Sequence, residues 1–339
     1  MKEDKTDIDF VIMWVDGNDI EWQKEKRKYD VSTNADGSLY RYRDWDLLQY
    51  WFRGVEKFAP WVRKIHFVTW GHIPKWLNVN NPKLNIVKHT DFIPKEYLPT
   101  FSANAIENNI YRIKGLSENF VFFNDDFYII KNVKKSDFFN NGIPKDNAIL
   151  NVHCPKKSLI SQYFCINDVN IINEYFDIHK SIKQNFLKWF NLKNGLLQLR
   201  TLVLYPSPRF PGFWQNHIAQ SYNKFTFKEV WNKEFDVLDN TCKHKFRETT
   251  DVNQWIFKEW QIASGNFYPR RIKFGKSFYI DRDGIEILKL KIINTIRKQK
   301  VNIVAINDGP MSNTEYNSLI NDLKEAFSSI LPEKSNFEI

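Results

Sequence analysis

Residues 8–19 read Ile-Asp-Phe-Val-Ile-Met-Trp-Val-Asp-Gly-Asn-Asp, an apolar run that stops at an Asp-Gly pair. The part from Phe10 to Val15 is rich in residues that favour strands and is short for a helix. It predicts a buried first strand that ends in a turn at Asp16-Gly17. In open α/β sheets, the groups that follow such a strand face the crevice where ligands bind.

The segments after this strand alternate between strand-like and helix-like patterns. Helical spacing of apolar residues is found at 45–58 and 103–113, and short apolar runs lie at 65–69, 85–89 and 120–123. This alternation predicts an α/β protein. We expect a Rossmann-like or GT-A-like α/β core with a mostly helical insertion. The expected parts are an α/β part at 1–150, a basic helical insertion at 151–212 and a second catalytic part at 213–339.

The composition limits the class of protein. The 49 Lys and Arg against 40 Asp and Glu give a net charge of +9, which suits an anionic partner but also an ordinary basic surface. Three cysteines without Cys-x-x-Cys spacing disfavour a disulfide scaffold or zinc site and favour the cytoplasm. The first residues lack the apolar region of a signal peptide, and no apolar run approaches the roughly 18 residues that cross a bilayer.

Carboxylates follow two of the apolar runs. Asp125 and Asp126 come after the run at 120–123, and Asp308 comes after a predicted strand at 301–306. Oxygen ligands of this kind suit a hard divalent cation that bridges a diphosphate, so we expect these three residues to hold Mg²⁺ or Mn²⁺. A turn or a helix cap is the alternative reading of the Asp pair.

Several basic and polar residues could contact an anionic donor. Arg43 and Arg53 could clamp a diphosphate through paired hydrogen bonds, although an ordinary salt bridge with Asp44 or Asp46 is an alternative of at least equal weight. His217 is suited to accept a proton from a hydroxyl, while a structural histidine is the more common case. Arg247 and Asp251 are about one helical turn apart and could share one face.

Other chemistries lack their signatures. The sequence contains no phosphate-binding Gly-x-x-x-x-Gly-Lys-[Ser/Thr], no Gly-x-Gly-x-x-Gly, no His-Glu-x-x-His and no Gly-x-Ser-x-Gly. Its basic residues are dispersed and do not form a recognisable nucleic-acid module, so we expect no nucleic-acid partner.

The order and wording of four segments resemble the Stealth family of sugar-1-phosphate transferases. The first segment is residues 8–19. The second is RYRDWDLLQYWFRGVEKFAPWVRKIHFVTWGHIPKWLN at 41–78, continuing to LPTFSANAIENNIYRIKGLSENFVFFNDD at 98–126. The third runs from His217 to Asp251, and the fourth is VAINDG at 304–309, followed by LPEKSNFE at 331–338. Together they cover nearly the whole chain.

The resemblance implies a bacterial enzyme of capsular or related surface polysaccharide synthesis. Such an enzyme transfers a hexose- or N-acetylhexosamine-1-phosphate from a UDP-sugar to a hydroxyl of an acceptor glycan, releasing UMP and forming a phosphodiester. The site residues implied are His217 as the base, Arg247 at the phosphoryl group, Asp126 and Asp308 at the metal, and a substrate-binding set of Asp16, Gly17, Asn18, Arg43, Arg53, Asn104, Glu107 and Asp251.

Two alternatives stay open at this point. A metal-dependent glycosyltransferase of the GT-A type would share the architecture but release UDP. A sugar- or nucleotide-binding protein without catalysis would bind the donor and not turn it over. A lipid-linked acceptor would put the enzyme at the inner face of the membrane, where the basic apolar segment 180–204 could make peripheral contact.

Overall fold

The computed structural model describes residues 6–29, 42, 45–157, 159–280, 285–309 and 311–339. The strands are β1 Ile8–Met13, β2 Ile65–Thr69, β3 Leu84–Lys88, β4 Asn119–Phe123, β5 Phe127–Ile129, β6 Phe139–Asn140, β7 Ile143–Asp146, β8 Gln220–Asn223, β9 Tyr268–Pro269, β10 Gly275–Tyr279 and β11 Ile303–Asn307. The helices are α1 Ile20–Tyr29, α2 Leu48–Phe58, α3 His89–Phe92, α4 Ala103–Asn109, α5 Lys135–Phe138, α6 Ile160–Tyr175, α7 Ile178–Gln184, α8 Phe186–Trp189, α9 Gln198–Leu204, α10 Lys224–Lys233, α11 Phe235–Lys243, α12 Trp255–Ala263, α13 Ile285–Arg297 and α14 Asn313–Ile330.

The main sheet has the strand order β3-β2-β1-β4-β8. Its first four strands are parallel, with Phe10 opposite Ile65 on one side and Val121 on the other. β8 closes the edge in the antiparallel direction. The predicted α/β class with a parallel, Rossmann-like core and many helices is confirmed.

Apolar residues cover both faces of this sheet. Along β1, Phe10 packs into one buried cluster and Val11 into another, because neighbouring side chains point to opposite faces. Trp51 of α2 belongs to the first cluster and Trp260 of α12 to the second. A strand buried on both faces reads as a continuous apolar run, which is why β1 and β4 could be found in the sequence.

Two smaller sheets complete the core. In one, β11 lies between β10, which is parallel to it, and β5, which is antiparallel. In the other, β7 lies between β6 and β9. β8 and β11, from the third predicted part, thus join strands of the first part. The division of the chain at residues 150 and 212 stays a prediction.

The second half differs in detail from the sequence reading. The basic segment predicted as a helix pair is built from the end of α6 and the short helices α7, α8 and α9. The proline-rich segment after it packs against the core, since Phe210 is buried and exchanges two backbone hydrogen bonds with the Asn173 side chain.

Two helix boundaries also differ. The helical pattern predicted at 226–263 is interrupted at 244–254, and this break carries Arg247 and Asp251. α14 is capped by Ser312 and not by Asn313, because the Ser312 Oγ accepts a hydrogen bond from the Glu315 N–H. Among the described residues, no helix is long and apolar enough to cross a bilayer.

Candidate active site

The carboxylates predicted to bind metal lie at the ends of two paired strands. β5 runs antiparallel to β11, with Phe127 opposite Ala305. Asp126 precedes β5 and Asp308 follows β11, so this pairing puts both residues at the same end of the small sheet. The Ile306 N–H donates to the Asp126 carbonyl oxygen at 3.0 Å and fixes the turn.

His217 faces this turn from the loop before β8. Its Nε2 lies 3.9 Å from the Asp126 Oδ2. The ring packs edge-on against Phe127, with 4.9 Å between ring centroids. The backbone carbonyl oxygen of His217 accepts a hydrogen bond from the Ser277 Oγ. Phe127 therefore positions the imidazole and Ser277 the backbone of His217, and the imidazole lies at the carboxylate end of the sheet.

Burial and charge set the protonation of these two groups. Burial, together with the negative charges of Asp125 and Asp308, raises the pKa of Asp126 well above its usual range. Burial lowers the pKa of His217 to about 4, and the positive charges of Arg247 and Lys258 act in the same direction. The imidazole is neutral at neutral pH, which is the form that accepts a proton.

The helix α4 supplies a polar wall. Asn104 and Glu107 are both buried and both face the cavity. Burial raises the pKa of Glu107 to about 7, against the opposing effects of the Arg247 charge and a hydrogen bond from the Gln254 backbone. Arg247 therefore acts electrostatically on both Glu107 and His217.

Asp251 lies behind this wall, fully buried. Its carboxylate accepts hydrogen bonds from the Asn104 Nδ2 at 3.0 Å and from the Glu248 N–H at 3.0 Å. The His244 Nδ1 lies 2.6 Å from its other oxygen. Burial raises the pKa of Asp251, and these hydrogen bonds oppose the rise. Asp251 holds Asn104 in position and does not itself line the cavity.

These groups surround one cavity of about 630 Å³. It brings together seven predicted residues from five separate parts of the chain: Asn104, Glu107, Asp125, Asp126, His217, Arg247 and Asp308. A cavity of this volume is within the range of sites for small organic ligands.

The turn after β1 is placed differently from the prediction. Trp14 and Val15 line the cavity, whereas Asp16, Gly17 and Asn18 are not among its described lining residues. A Cβ at Gly17 would lie 1.9 Å from the carbonyl oxygen of Tyr42, so the glycine permits a close approach of two chain segments. The Asp16 Oδ1 accepts the Asn18 N–H at 2.9 Å, closing the turn on itself.

Arg53 is also away from the cavity. Its Nε and Nη2 donate to the two carboxylate oxygens of Glu338 at 2.8 and 2.7 Å, and its Nη1 donates to the Leu331 carbonyl oxygen. This pairing ties α2 to residues 331–338, and the predicted contact of Arg53 with a diphosphate stays a prediction. Arg43, with its neighbour Asp44, lies outside the described residues.

The carboxylates suit a hard cation in their chemistry. Asp125, Asp126 and Asp308 offer oxygen ligands, and the pKa of Asp126 is raised first by burial and then by the charges of the other two, a repulsion that a divalent cation would relieve. Within the described ranges, no three His, Cys, Asp or Glu side chains form a ready-made metal site. The donor set therefore fits Mg²⁺ or Mn²⁺ by its chemistry and not by a preformed geometry.

The structure adds cavity residues that the sequence reading missed. Several of them are aromatic, among them Trp14, Trp22, Phe101, Trp255 and Tyr279. Trp255 and Tyr279 flank His217, with ring centroids 6.2 and 6.4 Å from the imidazole. Tyr279 ends β10, a strand that the sequence reading did not assign. Asn253 and Gln254 also line the cavity, and their closeness to Asp251 in the sequence was the available signal.

Comparisons with known proteins agree with this arrangement of segments. Residues 6–31 match the family model described as Stealth protein CR1, conserved region 1, and residues 41–146 match Stealth protein CR2, conserved region 2. The capsular polysaccharide phosphotransferase WcwK of Streptococcus pneumoniae is 44% identical over 334 residues, 98% of each chain. The exopolysaccharide phosphotransferase cps2G of Lactiplantibacillus plantarum is 37% identical, over 98% of this chain and 96% of that protein.

Solved structures are more distant. The galactosyltransferase LgtC, in complex with donor and acceptor sugar analogues, aligns over 97% of this chain and 98% of its own. The TM-score is 0.42 and the sequence identity 9%.

Proposed function

This chain belongs to the Stealth family, and on that premise we propose that it is a polysaccharide phosphotransferase. It transfers a sugar-1-phosphate from a UDP-sugar to a hydroxyl of an acceptor glycan, releases UMP and leaves a phosphodiester in a capsular or related surface polysaccharide. The names of the two relatives, which match over nearly their full length, support the reaction class.

One observation carries the proposal: the His217 Nε2 lies 3.9 Å from the Asp126 Oδ2, at the carboxylate end of the small sheet. A proton acceptor beside carboxylates and an arginine is the set of groups that phosphoryl transfer to a hydroxyl uses. The acceptor hydroxyl attacks the β-phosphorus of the donor and gives its proton to the His217 Nε2. The bond from the β-phosphorus to the bridging oxygen breaks, and UMP leaves with that oxygen.

Arg247 stabilises the negative charge on the phosphoryl oxygens during transfer. Its charge already reaches both His217 and Glu107, which lie on two walls of the same cavity. A fixed positive charge in a partly enclosed site has more effect than one in water, because little solvent must reorganise around it.

Asp125, Asp126 and Asp308 would hold the Mg²⁺ or Mn²⁺ ion. When bound, such an ion neutralises charge on the diphosphate and on the leaving nucleotide. The carboxylates would hold the cation at the strand ends.

Donor and acceptor occupy different walls in this proposal. Asn104 and Glu107 orient the donor sugar from α4, and Asp251 keeps the Asn104 amide in place. The acceptor approaches along Trp255 and Tyr279, which flank the base. Tyr279 is 61% exposed and offers a broad ring face with a polar hydroxyl group.

The proposal locates the reaction in the cytoplasm, with an acceptor that is lipid-linked. The three cysteines are free in the structure, as suits a reducing compartment.

A nucleotide-release assay tests the reaction. Purified protein is incubated with Mg²⁺ or Mn²⁺, a panel of nucleotide sugars and a glycan acceptor, and the released nucleotide is identified by chromatography. We expect UMP, dependent on both acceptor and metal. Release of UDP would mean attack at the anomeric carbon, as in a glycosyltransferase, and would contradict the proposal.

The His217→Ala variant tests the base. Loss of a general base lowers kcat by about 100-fold or more, while donor binding changes little because the imidazole acts on the acceptor hydroxyl. His179→Ala, on the exposed side of α7, is the matched control and should keep full activity. Near-normal kcat in His217→Ala would reassign the base.

A further inference from the structure

An exposed apolar surface lies outside the cavity, and none of its residues lines the cavity. We call residues 178–209 the basic platform; it contains α7, α8 and α9 and the turn at Leu192–Leu197. Seven of its large apolar side chains are exposed: Phe186, Leu187, Leu192, Leu196, Leu199, Leu202 and Val203. Leu192 is 91% exposed and Leu196 is 85% exposed. Single exposed leucines are common, but such a concentration within eighteen residues marks an interaction surface.

The platform is firmly attached to the core, so its outward leucines are held in place. Trp189, Asn194 and Thr201 are fully buried on its inner side. The Asn194 Nδ2 donates to the carbonyl oxygens of Ala148 and Trp189, and the Thr201 Oγ1 accepts the Leu150 N–H. Because these contacts fix the inner face, the opposite face cannot turn its apolar residues inward without breaking them.

The charged side chains of the basic platform are Lys and Arg alone. Between residues 178 and 209 there is no Asp or Glu, and there are six basic residues: Lys180, Lys183, Lys188, Lys193, Arg200 and Arg209. Lys183, Lys193 and Arg200 are exposed among the outward leucines. This stretch supplies six of the positive charges of a chain whose net charge is +9.

We propose that the basic platform docks on the surface of an anionic lipid bilayer. Outward leucines would enter the boundary between headgroups and acyl chains, and the lysines and arginines would contact the anionic headgroups. A second copy of the chain fits less well, because two platforms face to face would oppose six positive charges with six. The docking is independent of the proposed reaction, since no platform residue lines the described cavity.

Flotation with lipid vesicles tests the docking. The full chain is mixed at low salt with vesicles of phosphatidylcholine containing 30% phosphatidylglycerol, or of phosphatidylcholine alone, and the floated protein is measured. We expect binding to the anionic vesicles, reduced by at least tenfold at high salt because surface charges are then screened. Absence of the protein from the floated anionic vesicles at low salt would overturn the proposal.

Two variants separate the apolar and charged contributions. Leu192→Ser with Leu196→Ser, and separately Lys183→Gln with Arg200→Gln, should each weaken the vesicle partition about tenfold. Ile287→Ser with Leu290→Ser on α13 changes two equally apolar side chains that are 63% and 66% exposed, and should bind as the unaltered protein does.

The same variants also distinguish docking on a bilayer from self-association of the chain. All of these side chains are exposed, so the thermal midpoint should not change, and it is recorded for each variant. Equal flotation of the leucine variant would overturn the proposal. So would a concentration-dependent dimer, measured by light scattering, that the leucine variant dissociates while vesicles bind neither form.

Discussion

Asp251→Ala should both destabilise the protein and weaken donor binding. The substitution removes the acceptor for the Asn104 Nδ2, the Glu248 N–H and the His244 ring. Asn104 is buried, so its amide loses a partner that water cannot replace, at a cost of about 1–3 kcal/mol. Glu248 and His244 are partly open to water and add less, while loss of a buried charge offsets part of the cost. We expect a net loss of about 2–4 kcal/mol in the free energy of unfolding.

The functional effect follows from Asn104. Once its amide is no longer held by the carboxylate, the side chain can rotate away from the donor sugar. We expect the KM for the donor to rise about tenfold, which corresponds to about 1.4 kcal/mol. Asp251→Asn keeps the shape and one acceptor oxygen, so both effects should be roughly half as large.

Urea unfolding and steady-state kinetics measure the two effects. Asp236→Ala, the same change at an exposed position of α11, is the control and should stay within about 0.5 kcal/mol of the unaltered protein. If Asp251→Ala is as stable as this control, the hydrogen-bond account is wrong. If it is destabilised but its donor KM is unchanged, Asp251 does not act through Asn104.

Two further predictions concern Arg53 and Glu107. Arg53→Met should lower the free energy of unfolding by about 2–3 kcal/mol, because it leaves the Glu338 carboxylate without its guanidinium partner. The KM for the donor should not change. A raised KM with unaltered stability would instead favour a contact of Arg53 with the diphosphate. In the folded protein the pKa of Glu107 is about 7, above the usual 4.5. The contribution of Glu107 to the free energy of unfolding is therefore fully present below pH 4.5 and is lost as the pH rises through 7. Urea unfolding of Glu107→Gln should therefore show a stability advantage over the unaltered protein that grows by up to about 3 kcal/mol between pH 4.5 and pH 8, and a constant difference would contradict the buried carboxyl.

The parallel strands were predictable because of their burial. β1 and β4 are covered on both faces, so their sequences are almost continuously apolar and carry a clear signal. β8 and β10 were not predicted, because their sequences lack a continuous apolar run. β8 reads Gln-Ser-Tyr-Asn, and hydrogen-bond partners for its buried polar side chains come from other segments, such as the Asn119 Oδ1 for the Asn223 Nδ2 and the Gln254 Oε1 for the Tyr222 hydroxyl. Those partners are distant in the sequence.

The site, too, was predictable only in part. Asp126 and Asp308 follow apolar runs, which marks the ends of strands, but their proximity depends on the antiparallel pairing of β5 with β11. β5 has only three residues and left no pattern to read. The partner of Arg53 was not predictable either, because the sequence alone does not distinguish an arginine that binds Glu338 from one that binds a diphosphate.

In the proposed reaction, the bond that breaks joins the β-phosphorus of the donor to the oxygen that bridges the two phosphates, and the bond from the sugar to its phosphate stays intact. A UDP-sugar carrying ³²P in the phosphate next to the sugar, incubated with the protein, metal and acceptor, tests this directly. We predict that the label enters the acceptor glycan in proportion to the UMP released, and that His217→Ala slows both by about 100-fold or more. Label found in free UDP, with unlabelled glycan product, would contradict the account.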